Sequence, residues 1–298
     1  MKIPQGLQLA IEKHQEKPTH QLISAKFKIA YKTAVRFHQA KRKVRNILQK
    51  HAKVKLREYF PAVVARHQSL LLKRLGGNSE HLQRQKVQNL ALALQKIDMV
   101  VIQPGQTFSY WDLIGQPKVK DGYVDGMLLA RGKVVEGVGG GLCQLSNLLY
   151  WLFLHAPFEI VERYHHSYDV FPDSGRVLPF GSGATVFYNY VDLVAKNVSE
   201  LPIQLKLWLT DAHLKGQLLA PIHIPSKFKI WEENHCFVIW MDRFYRYNEI
   251  YQDVYEKGEL LRTNFVTNNF APVLYEVSRD SLEKDGYRVI EIDSMIRF

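Results

Sequence analysis

Thiols are scarce in this 298-residue chain: Cys143 and Cys236 are the only cysteines, and they form no Cys-x-x-Cys pair. That excludes a disulfide framework and leaves a structural zinc site without its usual ligands. Long apolar runs are missing too. No stretch approaches the ~18 residues of a membrane-spanning helix. The patch from Leu7 to Ile11 is interrupted by Gln8 and followed by charge, so no signal-peptide core of about 7 to 15 apolar residues is visible. The expected location is the cytoplasm, or the inner membrane face as a peripheral protein. No Gly-Lys-Ser/Thr follows the glycines at 137–141, which excludes a phosphate loop. His213, His223 and His235 lack metal-ligand spacing, so neither a metal nor a cofactor is expected. Repeats and low-complexity tracts are absent, and 46% apolar with 23% charged residues is ordinary globular composition.

What the chain has is an uneven charge. Residues 1–60 hold 15 Lys/Arg and 3 Asp/Glu, a net of +12 that accounts for the whole excess, since the formal total is +11. Such a segment is attracted to any polyanion, whether an anionic membrane surface, nucleic acid or an acidic partner. A solvated helical face reads the same way. Nucleic acid is disfavoured because no recognition motif accompanies the charge.

Apolar spacing from Leu22 to Leu72 predicts two or three helices, broken at Pro18 and Pro61. A further helix, capped by Ser79, carries Leu82, Val87, Leu90, Leu94 and Ile97. Beyond Asp98 short apolar runs between turn residues predict strands, among them 100–102, 158–163, 185–190 and 203–209, and the segment 231–298 reads as mostly extended. The expected class is α+β. Its expected divisions are basic helices over 1–77, a central sheet-and-helix domain over 78–220 and a β-rich region over 221–298. Oligomeric state is not legible.

The sequence Gly137-Val-Gly-Gly-Gly-Leu-Cys143 opens an apolar run that ends at Ala156-Pro157, which predicts a helix from Cys143 to Leu154. A thiol in a first helical turn faces unpaired backbone N–H groups and the positive end of the helix dipole, which favour thiolate. A small buried hydrophobe is the alternative. A nucleophilic cysteine needs a base, and Glu162-Arg163-Tyr164-His165-His166-Ser167 supplies histidines, only one of which can face a given side of an extended chain.

These residues resemble the VanW family. The resemblance is carried by Gln103-Pro-Gly-Gln-Thr-Phe-Ser109, Gly139-Gly140-Gly141-Leu142-Cys143-Gln144-Leu145-Ser146 with Tyr150, Glu162 to Ser167, Pro179-Phe-Gly181, Ala184-Thr-Val186, Asp192-Leu193 and Lys196-Asn197, led by a helix with Asn89. It implies a link to glycopeptide resistance and to a peptidoglycan stem peptide or its precursor as partner. It further implies a cysteine-dependent acyl transferase of the L,D-transpeptidase type, or an amidase, with Cys143 as nucleophile and His166 as base. Gly139, Gly140, Gly141, Gln144, Ser146, Tyr150, Arg163 and Ser167 would then contact substrate, and backbone N–H groups from Gly141 to Gln144 would stabilise an oxyanion. Two departures stand out: Gly183 where the family shows an acidic residue, for which Asp169 or Asp173 would have to substitute, and Asn147 where hydroxyl residues are usual. A non-catalytic accessory module for wall precursors or a partner protein is the alternative these departures imply.

Overall fold

The computed structural model describes residues 3–15, 28–49, 51–72, 80–130, 133–170, 172 and 178–293. The class is α+β, as expected. The chain divides into two compact units, one made of 1–30, 165–182 and 229–298, the other of 31–164 and 183–228.

The second, central unit contains helix α2 (Lys28–Leu48, its first turn excepted), strand β1 (Ala62–Leu70), α3 (Glu80–Ile97), β2 (Val101–Ile102), β3 (Thr107–Ser109) and the short α4 (Tyr110–Ile114). It continues with the hairpin β4 (Asp125–Ala130) and β5 (Lys133–Val138), α5 (Cys143–Leu154), β6 (Phe158–Glu162), β7 (Val194–Asn197), β8 (Ile203–Leu209) and β9 (His213–Ala220). One sheet runs β1-β9-β8-β2 and a smaller one β3-β7-β6. Helix α5 bears the predicted bounds. It packs on β1, β6 and β9 through Leu145, Leu148, Leu149, Leu152 and Phe153, all buried. Gly216 on β9 makes that approach possible, since a Cβ there would stand 2.7 Å from Leu148 and 2.9 Å from Leu152.

Two expectations are corrected here. Residues 62–70, read as part of the basic helical region, form β1, paired antiparallel with β9 from Ala62↔Ala220 to Leu70↔His213. Partners some 150 residues away override the local helical spacing. Residues 185–190, read as a strand, form a turn closed by Phe187 N–H to Val191 O at 2.9 Å and Tyr190 N–H to Phe187 O at 3.1 Å. Its aromatic pair Phe187 and Tyr190 stacks within the turn instead of across a ladder. The Ser79 cap lies outside the described residues.

The other unit contains α1 (Gln5–Gln15), most of β10 (Ser226–Trp240), β11 (Arg243–Glu256), β12 (Glu259–Pro272), the short α6 (Arg279–Lys284) and β13 (Val289–Ile292), in the sheet order β12-β11-β10-β13. Its core joins Leu7 and Ile11 of α1 to Cys236, Val238, Trp240, Tyr245, Tyr247, Ile290 and Ile292. Cys236 is therefore a core hydrophobe. Asp169 docks the segment 165–182 onto this sheet through Arg246 at 3.4 Å and the Tyr275 hydroxyl at 2.9 Å.

Candidate active site at the start of helix α5

Gly139 and Gly141 have φ of +80° and +90°, the left-handed region that glycine enters without strain. Gly140 packs directly on the backbone of Gly126 in β4, where any Cβ would collide. Asn89 of α3 locks this turn. Fully buried, it donates to Gly140 O at 2.9 Å and Val124 O at 3.0 Å and accepts from Val124 N–H at 2.9 Å. Sequence reasoning noticed Asn89 only as part of a lead-in helix. The available signal was an amide beside the apolar Leu90 on the core-facing side.

The turn delivers Cys143 to the first position of α5. Its side chain is half-buried, with Sγ 3.9 Å from Val186 O. Burial pushes the thiol up from its ordinary pKa, while backbone hydrogen bonds from Val186 and from Cys143 itself pull the other way and only partly offset it. The shift runs opposite to the one expected of a thiol at a helix start. Of the amides expected to stabilise an oxyanion, Gly141 N–H already bonds to Met127 O at 2.9 Å and Gln144 N–H to Gly141 O at 3.0 Å. The buried Tyr110 hydroxyl donates to Leu142 O at 2.9 Å.

The polar face of α5 is stitched to residues 183–186. Ser146 Oγ donates to Ala184 O at 2.6 Å, and Asn147 Oδ1 accepts from Ala184 N–H at 2.7 Å. Arg163 Nε donates to Gly183 O at 2.9 Å, and its guanidinium lies 5.0 Å from the Tyr150 ring. Burial lowers the Arg163 pKa and raises that of Tyr150. Gln144 reaches the other way, to Ser69 Oγ at 2.9 Å and Leu70 O at 2.7 Å on β1. Cys143, Ser146, Tyr150 and Arg163 are thus gathered around one loop. His165, His166 and Ser167 fall in the other unit. There His165 and Ser167 are exposed and His166 is half-buried. Asp169 is engaged by Arg246 and Tyr275, and Asp173 lies outside the described residues.

A charge network that the sequence did not announce sits beside β6. Buried Arg42 of α2 pairs with Glu162 at 2.8 Å and lies 3.8 Å from Asp192, and Arg45 also binds Glu162. Asp192 further accepts from Ser109 Oγ at 2.7 Å and from the N–H groups of Trp111 at 3.1 Å and Leu193 at 2.9 Å. Burial lifts its carboxyl to about 6. Burial would raise Glu162 as well, but Arg42 and Arg45 overcome it and hold that carboxylate below its ordinary value.

Residues 85–219 match the family model described as VanW like protein. The chain is 32% identical over 195 residues to the Vancomycin B-type resistance protein VanW of Enterococcus faecalis, an alignment covering 65% of this chain and 71% of that protein. The chain belongs to the VanW family. A second relative, the Uncharacterized protein YoaR of Bacillus subtilis, is 33% identical over 118 residues, 40% of this chain and 37% of its own length. No solved structure matches. The match spans the glycine turn, Cys143 and the loop stitched to α5, together with Ser109, Glu162 and Asp192. The VanW-like family is associated with vancomycin resistance.

Proposed function

We propose that this VanW-family chain acts on peptide of the cell wall as a cysteine-dependent acyl transferase with Cys143 as nucleophile. The observation that carries the reading is the setting of Sγ. It is half-exposed at the first residue of a helix, behind a glycine turn, with backbone hydrogen bonding at Cys143 and Val186 favouring the anion. Sγ would attack a stem-peptide carbonyl carbon and form a thioester as the C–N bond breaks and the amine departs with a proton. An acceptor amine would then form the new amide and return the thiol. The family motif gives His166 the role of base.

A second reading, a non-catalytic module for wall precursors or a partner protein, is favoured by the burial that pushes the thiol pKa up and by the structural bonds already made by Gln144, Ser146 and Arg163. Alkylation of Cys143 across pH separates the two. The enzyme reading expects an apparent pKa above the ordinary ~8.5 in the free protein, falling when a stem peptide is added. It also expects Cys143→Ala and His166→Ala to abolish function in a glycopeptide-resistance assay with folding intact. Full function in both variants would establish the module and end the enzyme reading.

A further inference from the structure

Helix α2 is built inside out. At about 100° per residue, Gln39, Arg42 and Asn46 share one face, and that face docks on the central unit. Gln39 donates to Tyr188 O at 3.1 Å, Arg42 pairs with Glu162, and Asn46 reaches Asp112 at 3.4 Å. The opposite face carries Phe37, Ala40, Val44 and Ile47 in one stripe pointing to solvent, with Phe37 64%, Val44 59% and Ile47 82% exposed. Arg36 and Lys43 flank the stripe on one side and Lys41 and Arg45 on the other, all exposed. A surface helix ordinarily turns its apolar stripe inward, and a contiguous exposed one marks an interaction surface.

The charge selects the occupant. Residues 17–57 contain 13 Lys/Arg and no Asp/Glu, so a second copy of this face would be repelled. Nucleic acid would satisfy the cations and leave Phe37 and Ile47 without a role. An anionic bilayer satisfies both, because its headgroups meet the flanking cations while the apolar stripe sinks into the headgroup and acyl boundary. We propose that α2 is an interfacial helix that holds the protein flat on an anionic lipid surface. No described helix is long and apolar enough to cross a membrane, and this attachment requires none.

The test is sedimentation of the full chain with extruded vesicles of phosphatidylglycerol and phosphatidylcholine in equal parts, against vesicles of phosphatidylcholine alone. The expected result is binding to the anionic vesicles at least ten-fold tighter, weakened by salt. Phe37→Ser/Ile47→Ser should reduce it at least ten-fold, and Lys41→Ser/Lys43→Ser about thirty-fold, at about 1 kcal/mol per cation. Both pairs are exposed, so circular dichroism should find the fold unchanged; were the apolar pair to unfold the chain, the lysine pair alone would decide. Equal binding to both vesicle types, binding that survives the apolar pair, or no binding overturns the proposal. So does a dimer in solution that Ile47→Ser dissociates, or nucleic-acid binding that Phe37→Ser/Ile47→Ser leaves intact, where vesicle affinity is absent.

Discussion

Helix α5 hides eight of its twelve residues, nearly all apolar, whereas the described side chains of α2 include just two buried ones, Arg42 and Asn46. Both helices belong to the central unit, and their stability comes from different sources. Helix α5 is held by area: Leu and Phe side chains fill the space between it and β1, β6 and β9, and its few polar groups finish the job, Ser146 and Asn147 at Ala184 and Gln144 at β1. Helix α2 is held by specific polar partners, an arginine fork on Glu162 and an amide on Asp112, with Phe37, Val44 and Ile47 left outside. Packing by area tolerates neighbouring sequence change as long as volume is kept. Packing by a buried ion pair fails sharply when one partner is removed, because the other charge is left unpaired.

Three substitutions probe that contrast from its strong end. Leu149→Ala, at a fully buried position, should cost about 2 to 5 kcal/mol in a denaturant melt through lost transfer energy and the remaining cavity. Arg42→Met should cost about 3 kcal/mol by leaving buried Asp192 without its cation and Glu162 with Arg45 alone, and the triple variant Arg42→Met/Glu162→Gln/Asp192→Asn should recover much of that loss. If Arg42→Met were as harmless as a surface change, α2 would be held by something other than its charges. Ser146→Ala removes the 2.6 Å bond to Ala184 O and should cost about 1 to 2 kcal/mol. It should also speed alkylation of Cys143, because the loop carrying Val186 loosens.

The same network makes a pH prediction of about the same size. Asp192 titrates near 6 in the fold, above the ordinary 3.8, so the native state holds this proton more tightly than the unfolded chain. The stability it contributes is complete below about pH 4 and is lost as pH rises through about 6, a change on the order of 3 kcal/mol. Glu162 runs the other way: its carboxylate is held low, and its contribution is lost as pH falls. Asp192→Asn should therefore remove the fall on the rising-pH side and leave the acid loss in place. Melts of wild type and variant from pH 3 to 8 would show whether the two curves converge below about pH 4.

Legibility followed the same divide. The bounds of α5 could be read because an apolar run stands between a glycine cluster and Ala156-Pro157, all local signals. Cys143 was found for the same reason. Its raised pKa was not, because burial raises it and the fold, not the local sequence, decides what covers Sγ, as the contact with Val186, 43 residues away, shows. Strand β1 was misread since Ala62-Val63-Val64-Ala65 continues the helical spacing of the basic segment, and only pairing with β9 reveals it. Periodicity did give α2 a stripe, but no local rule says which face turns inward when the decisive partners, Asp112 and Glu162, lie far along the chain.

The smallest expected effect is also the most discriminating between the two helices. Ile47→Ser removes a β-branched apolar side chain from the last turn of a basic helix, a change that at any core-facing position would cost several kcal/mol. With Ile47 82% exposed, the fold should register less than about 0.5 kcal/mol, the ordinary range for a surface change. Leu149→Ala, the α5 counterpart, should register several times more. If Ile47→Ser destabilised the isolated protein comparably to Leu149→Ala, the stripe on α2 would be covered by the protein itself, and the inversion that distinguishes the two helices would be gone. A null effect on folding together with a loss of vesicle affinity assigns the stripe to an external apolar surface.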